Sequence, residues 1–257
     1  MGNKRALWFK IWPPAVVMAG LLGMWQAVVS LGWVESWMIP APISVVQGAI
    51  EVWPRLMMHT WSTLQLTLIG FIGGSIAGFI IATLLHLIPT LRSGIYPLLI
   101  ITQNVPLIVL APVFTMLLGF GLLPKALLVI MVCFFPICIA MLGGLANTDA
   151  NLYNYMRMIG SNKWRLFWRL ELPNSIVHLF SGLRIAASYS VLSAIVAEWV
   201  SPKVGLGGFV ILSFRGYMPD RVFAAVIIIV TISLLLFGFV VAMERLIVRW
   251  RPRKERG

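Results

Sequence analysis

Charged side chains are scarce in this sequence. Asp, Glu, Lys and Arg make up 11% of the 257 residues, and only 8 residues are acidic, whereas about a quarter of the residues in a typical soluble domain are charged. Hydrophobic residues reach 60%, and the mean hydropathy is +0.94. Such a chain cannot cover a soluble fold with a polar surface, so the composition predicts an integral membrane protein.

Groups that could carry out catalysis or hold a metal are also few. Cys133 and Cys138 lie in an apolar run with a spacing that does not match a metal site, so we expect them to be buried small hydrophobes. His59, His86 and His178 lie far apart near predicted membrane boundaries, where interfacial positions are expected. The spans hold no paired carboxylates and no nucleophile with a base, and the chain has no phosphate-binding loop. We therefore expect no catalytic residue, no metal and no cofactor bound by this chain.

Long apolar segments are what the sequence does contain. Six of them approach the length of about 20 residues that a helix needs to cross a bilayer. They predict an all-α polytopic membrane protein with one transmembrane domain over residues 1–257 and no cleaved signal peptide. A soluble helical bundle would need polar faces at helical spacing, which these segments lack. The predicted spans are Ile11–Trp33, Thr63–Ile88, Tyr96–Leu118, Pro124–Ala146, Ser175–Val200 and Val222–Ile247.

Two of these spans have an unusual composition. The third contains three prolines and the adjacent amides Gln103 and Asn104, so we expect it to be kinked or to consist of two shorter helices. The second carries Gly70, Gly74 and Gly78 at a spacing of four residues, which would form a smooth strip where another helix can approach closely.

The basic residues predict the orientation, because Lys and Arg collect on the cytoplasmic side of membrane proteins. The net charge of +12 therefore reflects topology and does not indicate a nucleic-acid partner. Both termini and the loop after the fourth span are expected to be cytoplasmic, and the basic run at residues 245–256 is interpreted as a lipid-headgroup anchor rather than a partner site. Of the 20 Lys and Arg residues, the only ones that fall outside are Arg55, Lys125, Lys203, Arg215 and Arg221.

The most polar interior segment, Asp149–Arg184, follows the fourth span. Leu152–Ile159 is predicted to form a short helix, and Gly160 to end it in a left-handed conformation. Ser161 or Asn162 would then cap a second short helix. Together these elements predict a compact knob on the cytoplasmic face.

The second helix of this knob is expected to run to Leu170, after which Leu172-Pro173 opens the fifth span. Its aromatic residues Trp164, Phe167 and Trp168 would pack on the ends of the membrane helices. Its basic side chains would stay in water.

This pattern resembles the EAA loop in the membrane subunits of ABC importers, the binding-protein-dependent permeases. The resemblance extends roughly from Pro40 to Arg245 and is closest to the nitrate, sulfonate and taurine branch, which includes importers of thiamine-pyrimidine precursors and of riboflavin. Its motifs are specific only when taken together. They are Pro40-Ala41-Pro42, Ala111-Pro112, Gly119-Phe120-Gly121, Phe135-Pro136, Gly143-Gly144-Leu145, Gly160, Leu172-Pro173, Gly182-Leu183-Arg184, Ala197-Glu198 and Gly205-Leu206-Gly207-Gly208.

The resemblance implies a type I ABC importer permease in the plasma membrane of a prokaryote. The partners it implies are two cytoplasmic ATPase subunits that carry ATP and Mg, an extracytoplasmic substrate-binding protein and, for a single six-span chain, a second copy of itself in a homodimer. It also assigns a coupling loop at about residues 148–174, whose first helix inserts into a groove of the ATPase. The coupling residues are then Tyr153, Asn154, Tyr155, Met156, Arg157, Gly160, Leu172 and Pro173.

One departure concerns the acidic residue at the start of the motif. The family's Glu-Ala-Ala falls on Asn154-Tyr155-Met156, while the glycine is kept at Gly160. Either the ATPase is contacted in a different manner, through the tyrosines, Met156 and Arg157, or the partner is specialised, or the loop is inactive in coupling.

Polar side chains within the spans predict the route of the substrate, because such groups usually face a cavity or another helix. Gln103 and Asn104 are the strongest candidates, whereas the serines could simply bond to carbonyls of their own helix. Glu198 is expected near the external end as a gate, as an ion-pair partner of an outer arginine or as an exposed group. The candidates are Thr102, Gln103, Asn104, Thr115, Ser188, Tyr189, Ser190, Ser193 and Glu198.

The main alternative is an ion-coupled secondary transporter, for which Glu198 alone would be thin support. A membrane enzyme would need a reactive cluster, and a passive scaffold or channel would not need the knob. The neutral amides and hydroxyls of the route fit a small polar solute, either a thiamine-precursor pyrimidine or related heterocycle, or an anion such as an aliphatic sulfonate, taurine or nitrate. Basic residues are expected on the two faces of the membrane and not within its interior, and this lack of an intramembrane Lys or Arg slightly favours the uncharged heterocycle.

Overall fold

A computed structural model describes residues 2–35 and 37–248, so most of the carboxy-terminal basic run, from Arg249 onwards, lies outside the described residues. The described chain is helical throughout, as predicted. Its helices are α1 (Gly2–Ser30), α2 (Pro42–Glu51), α3 (Trp53–Leu87), α4 (Pro89–Thr102), α5 (Leu107–Leu118), α6 (Leu122–Ala146), α7 (Ala150–Met158), α8 (Lys163–Leu166), α9 (Leu172–Val200), α10 (Leu206–Arg215) and α11 (Pro219–Ile247), with a π-helical turn at Phe167–Glu171 between α8 and α9.

Five helical stretches are long and apolar enough to cross a membrane: Trp12–Ser30, Trp53–Leu87, Leu122–Ala146, Lys163–Val200 and Pro219–Ile247. The predicted third span, Tyr96–Leu118, consists instead of the two short helices α4 and α5. The break falls before Pro106, which cannot donate a backbone N–H and disfavours helical geometry in the residue before it. The expected irregularity is therefore present, and the sixth crossing remains a prediction.

The core is built around α6, which packs against both α3 and α9. The glycine strip predicted on the second span lies against α6: a Cβ on Gly70 would collide with Val129, and one on Gly74 would lie 2.5 Å from the Cβ of Cys133. Both cysteines are fully buried, as expected. The absence of side chains at these positions thus lets the two helices approach at backbone distance.

A neighbouring part of the α6 surface makes an equally close contact with α9. A Cβ on Gly182 of α9 would lie 2.8 Å from the carbonyl oxygen of Pro136, and one on Gly144 of α6 would lie 2.7 Å from the Cβ of His178. His178 is therefore packed against a neighbouring helix. The three helices α3, α6 and α9 all contact one another and form one closely packed unit.

Candidate functional site

The polar loop, residues 149–171, begins with an exposed helix. The carboxylate of Asp149 accepts the backbone N–H of Asn151 at 2.8 Å, which caps α7 and explains why this helix starts two residues before the predicted Leu152. None of the side chains of α7, all of which the structure describes, is buried. The exposed apolar side chains are those of Leu152, Tyr155, Met158 and Ile159.

Three of these side chains, Leu152, Tyr155 and Ile159, follow each other at intervals of three and four residues and therefore share one face of α7. They are 51%, 61% and 62% exposed, respectively. A row of apolar side chains on a polar loop is typical of a surface that a partner covers. We call this face the α7 stripe.

Gly160 ends α7 as predicted. Its φ angle is +83°, which favours glycine, and the backbone N–H of Ser161 bonds to the carbonyl of Met156 at 3.1 Å. Asn162 then caps α8, because its Oδ1 accepts the N–H of Arg165 at 2.9 Å. Of the two caps that the sequence allowed, the structure uses Asn162.

The expected boundary at Leu172-Pro173 is not a break. The helix runs continuously from Lys163 to Val200, and within it the N–H of Leu172 bonds to the carbonyl of Phe167, five residues back. Pro173 has no N–H for the usual bond, and the wider π-helical turn directly before it allows the helix to continue.

Only one of the three aromatic residues expected to pack on the bundle does so. Phe167 is 1% exposed, whereas Trp164 and Trp168 are 61% and 59% exposed. Residues four apart share a helix face, so Phe167 and Glu171 face the bundle while the two tryptophans face away. The expectation was wrong for Trp164 and Trp168, whose rings lie on the exposed side of this helix.

A cavity of about 510 Å³ lies at the break between α4 and α5. It brings the predicted residues Thr102, Gln103 and Asn104 together with Tyr189 of α9 and with α6 at Phe135-Pro136. Among the described residues that line it, none is charged. This α4–α5 cavity offers amide and hydroxyl groups beside aromatic and apolar walls, a combination that suits a small polar molecule.

The other hydroxyl candidates do not line this cavity. Ser190 and Ser193 are fully buried, and their hydroxyls donate to the carbonyls of Ala187 and Ser190 at 2.8 and 3.0 Å. Thr115 likewise donates to a carbonyl of its own helix, and Ser188 is exposed. The hydroxyls of Thr115, Ser190 and Ser193 therefore bond to carbonyls of their own helices, which was the alternative to a role in the substrate route.

Glu198 is neither exposed nor paired with an arginine among the described residues. Its carboxylate accepts the hydroxyl of Thr63 at 2.8 Å and the backbone N–H of Gly207 at 2.8 Å, and the Thr63 hydroxyl in turn accepts the N–H of Leu206 at 2.7 Å. His59, expected at an interface, is also buried here, with Nδ1 3.0 Å from the carbonyl oxygen of Gly205. The Glu198 network thus ties the start of α10 to α3 and α9.

Glycines make this network possible. Gly205 has a φ angle of +113°, and a Cβ on it would collide with the Glu198 carboxylate. A Cβ on Gly207 would lie 2.5 Å from the carbonyl oxygen of Ile195. The sequence carried a signal for this contact, a single acid followed by a glycine-rich turn, but nothing in it identified Thr63 or His59 as partners.

The family model described as "Binding-protein-dependent transport system inner membrane component" matches residues 70–249, which is more than half of the chain. The protein belongs to this family of transport permeases. The resemblance inferred from the motifs is thereby confirmed, and so is the predicted class of function, a membrane permease subunit of an ABC importer.

Related proteins align with most of the permease. It is 32% identical to a probable ABC transporter permease protein of Haemophilus influenzae, with 87% of this chain and 91% of the relative covered. It is 28% identical to the formylaminopyrimidine transport permease protein ThiX of Halalkalibacterium halodurans, with 86% and 88% covered. It is 29% identical to the riboflavin transport system permease protein RibX of Chloroflexus aurantiacus, with 96% and 92% covered.

Solved structures share the fold of the permease. A chain of the MetNI methionine ABC transporter, in an inward-facing conformation, superposes with a TM-score of 0.68 at 17% identity and covers 77% of this chain and 98% of that chain. At this identity the likeness bears on the fold alone. The predicted type I importer architecture is therefore confirmed.

The Glu198 network can be tested through Thr63 of the permease. Valine at this position removes a donor to Glu198 and an acceptor for the N–H of Leu206, so we expect T63V to lower the free energy of unfolding by about 2 kcal/mol. Thermal unfolding in detergent measures the loss. T60V is the matched control, because the Thr60 hydroxyl bonds only to the carbonyl of Leu56 in its own helix. Equal melting temperatures for the two variants would contradict the proposed importance of the network.

Proposed function

We propose that this permease imports a small, uncharged, polar heterocycle by alternating access, in which its helices rock between an inward-open and an outward-open arrangement. The energy comes from ATP hydrolysis on partner subunits, because the chain has no phosphate-binding loop of its own. ATP and Mg would bind to those subunits, and this chain would bind no cofactor and catalyse no reaction.

The proposed topology has six crossings with both termini in the cytoplasm of a prokaryote and the protein in its plasma membrane. The pair α4 and α5 would supply the sixth crossing as a broken helix, whose non-helical residues 103–106 line the α4–α5 cavity. Irregular backbone is tolerated at membrane depth where it lines such a cavity. Residues 1–257 would form one membrane domain, with the coupling loop at about residues 148–174.

The proposed ATPase contact is the α7 stripe. It is apolar, uncovered and joined to the remaining loop at Gly160, which has nothing within 4 Å of the position of a Cβ and therefore leaves room for a partner. Asn154 and Arg157 are exposed on α7, and Tyr153 and Met156 are half-buried. We propose that two ATPase subunits dock on two copies of this chain, with the substrate-binding protein on the opposite face. The proposed coupling residues are Tyr153, Asn154, Tyr155, Met156, Arg157, Gly160, Leu172 and Pro173.

The main observation that supports an uncharged substrate is that no charged side chain among the described residues lines the α4–α5 cavity. A sulfonate or nitrate ion would lose its hydration there without a cation to replace it, which is costly in a membrane. The amides of Gln103 and Asn104 can donate and accept hydrogen bonds to a heterocycle, and Phe135 and Tyr189 offer aromatic surface. Two relatives named above are described as transport permease proteins for formylaminopyrimidine and for riboflavin, both of which are ring compounds.

The ion-coupled alternative has less support. Glu198 is the acid on which it would depend, and both of its partners in the structure are donors, Thr63 and the N–H of Gly207, that hold the turn before α10. We therefore propose a positioning role for Glu198 rather than a place on the substrate route, and we propose Thr102, Gln103, Asn104 and Tyr189 for the route.

Uptake assays test this proposal. With the permease, its ATPase and its binding protein in proteoliposomes, Q103A and N104A are each expected to lower ATP-driven uptake about tenfold, the effect of losing one hydrogen bond to the solute. T115A is the matched control, because Thr115 bonds to the carbonyl of Ala111 and does not line the cavity. An aminopyrimidine should compete for uptake and taurine should not. If Q103A and N104A both took up solute at the wild-type rate, the cavity would not lie on the substrate route. If taurine competed for uptake and the aminopyrimidine did not, the proposed substrate class would be wrong.

A further inference from the structure

The second half of the polar loop is held by the membrane helices, unlike α7. Phe167 is inserted into a buried cluster that includes Leu85 of α3, Leu99 of α4 and Met141 of α6. Four residues later, and on the same face, Glu171 is also buried. The loop therefore consists of an exposed first helix and an anchored second part, joined at Gly160.

Glu171 makes a direct polar contact with the end of α3. Its Oε2 lies 2.9 Å from Nε2 of His86, and the two side chains are 12% and 16% exposed. The ring of Phe167 lies beside the His86 ring, with centroids 6.3 Å apart. A polar pair that is shielded from water in this way holds its geometry more firmly than a pair on an open surface.

The anchored part of the loop is also connected to the α4–α5 cavity. Leu99 shares the buried cluster with Phe167 and stands three residues before Thr102, at the end of α4 that lines the cavity. Phe135 packs on the same cluster and lines the cavity as well. A continuous set of packed side chains therefore leads from the loop to the proposed substrate route.

We propose that the contact between His86 and Glu171 is a latch that makes α3 and α4 move with the polar loop. His86 and Glu171 are then positioning residues for transport, since neither lines the α4–α5 cavity. With the latch closed, a displacement of α7 by the ATPase reaches α3 through the π-helical turn. Without it, the loop can move while α3 stays behind, so ATP is hydrolysed and less solute crosses. This inference rests on the proposed function.

The measurement that isolates the latch is the number of solute molecules taken up per ATP hydrolysed in proteoliposomes. H86L and E171L are each expected to lower this ratio about fivefold or more, in the range of coupling effects between sites, while the complex still hydrolyses ATP. H86L combined with E171L should be no worse than either alone, because one contact is lost in all three. H86Q, whose amide can still donate to Glu171, should retain at least about half of the wild-type ratio.

An ion pair elsewhere in the bundle provides the matched control. Arg184 of α9 and Glu244 of α11 lie 3.4 Å apart and also join two helices. R184A and E244A are expected to change the ratio by less than about twofold, as for a partly exposed pair. Two results would contradict the proposed latch. One is a fivefold lower uptake per ATP in R184A and E244A as well, and the other is a wild-type uptake per ATP in both H86L and E171L.

Assembly and function are checked separately. If a leucine variant does not assemble, the exchanged pair H86E with E171H restores the contact in reverse, and its recovery of the ratio supports the latch, whereas its failure to recover overturns it. A wild-type complex without ATP-driven uptake would overturn the proposed function itself. If the wild-type complex takes up solute with ATP and the H86L and E171L variants keep its ratio of solute to ATP, the proposed function stands and only the proposed latch is wrong.

Discussion

Replacing Gly160 with proline is expected to abolish ATP-driven uptake and to leave the permease inserted in the membrane. Gly160 has a φ angle of +83°, which proline cannot adopt, and its N–H bonds to the carbonyl of Arg157 at 3.1 Å. The substitution costs about 3 kcal/mol or more at this turn, and we expect it to redirect α7 so that uptake falls by about 100-fold. Uptake and ATPase stimulation in proteoliposomes measure the effect.

Two further variants show which property of the loop matters. G160A should be milder, because alanine tolerates positive φ at a cost of about 1 kcal/mol and nothing lies within 4 Å of its Cβ. R157E reverses an exposed charge on α7 and should also uncouple hydrolysis from uptake. If G160P and R157E both kept wild-type uptake and ATPase stimulation, the assignment of α7 as the coupling helix would be wrong.

The substitution G205A is expected to have the largest effect on stability. The new Cβ would collide with the buried carboxylate of Glu198, and the φ angle of +113° is unsuited to any side chain. Together these costs amount to about 3–5 kcal/mol. Size-exclusion chromatography in detergent should therefore show little folded protein, and the melting temperature of what remains should be lower.

Gly238 in α11 offers the control for G205A. Nothing lies within 4 Å of a Cβ at this position, and alanine is a better helix former than glycine by about 1 kcal/mol. G238A should therefore fold as well as the wild type or slightly better. A G205A protein with the wild-type melting temperature would contradict the close contact between the glycine turn and Glu198.

The features that the sequence predicted correctly depend on local chemistry. A proline lacks an N–H wherever it occurs, so the break before Pro106 could be read from the residues around it. Gly160 ends α7 for a similarly local reason. The strip of Gly70, Gly74 and Gly78 also follows from spacing alone, since residues four apart share a helix face.

The features that it missed depend on contacts between distant parts of the chain. Glu198 and Thr63 are 135 positions apart, so no local pattern pairs them. Tyr189 was itself predicted on the substrate route, but its place in the same cavity as Gln103 depends on how α9 packs beside the α4–α5 break. Likewise, Leu172-Pro173 looked like a helix start because the π-helical turn that accommodates Pro173 leaves no recognisable trace in the residue types.

The glycine contacts of α6 with α3 and α9 limit where the permease can bend. Helices that touch at backbone distance, as α6 does at Gly74 and Gly182, cannot slide past each other without opening voids in a close-packed interior. We expect the glycine-packed parts of α3, α6 and α9 to behave as one rigid lever. The flexible joints then lie outside these contacts, at the segment 103–106, at the turn at Gly160 and, when the contact between His86 and Glu171 is lost, at the π-helical turn, so the two ends of the transport cycle would differ by the tilt of this lever rather than by its internal shape.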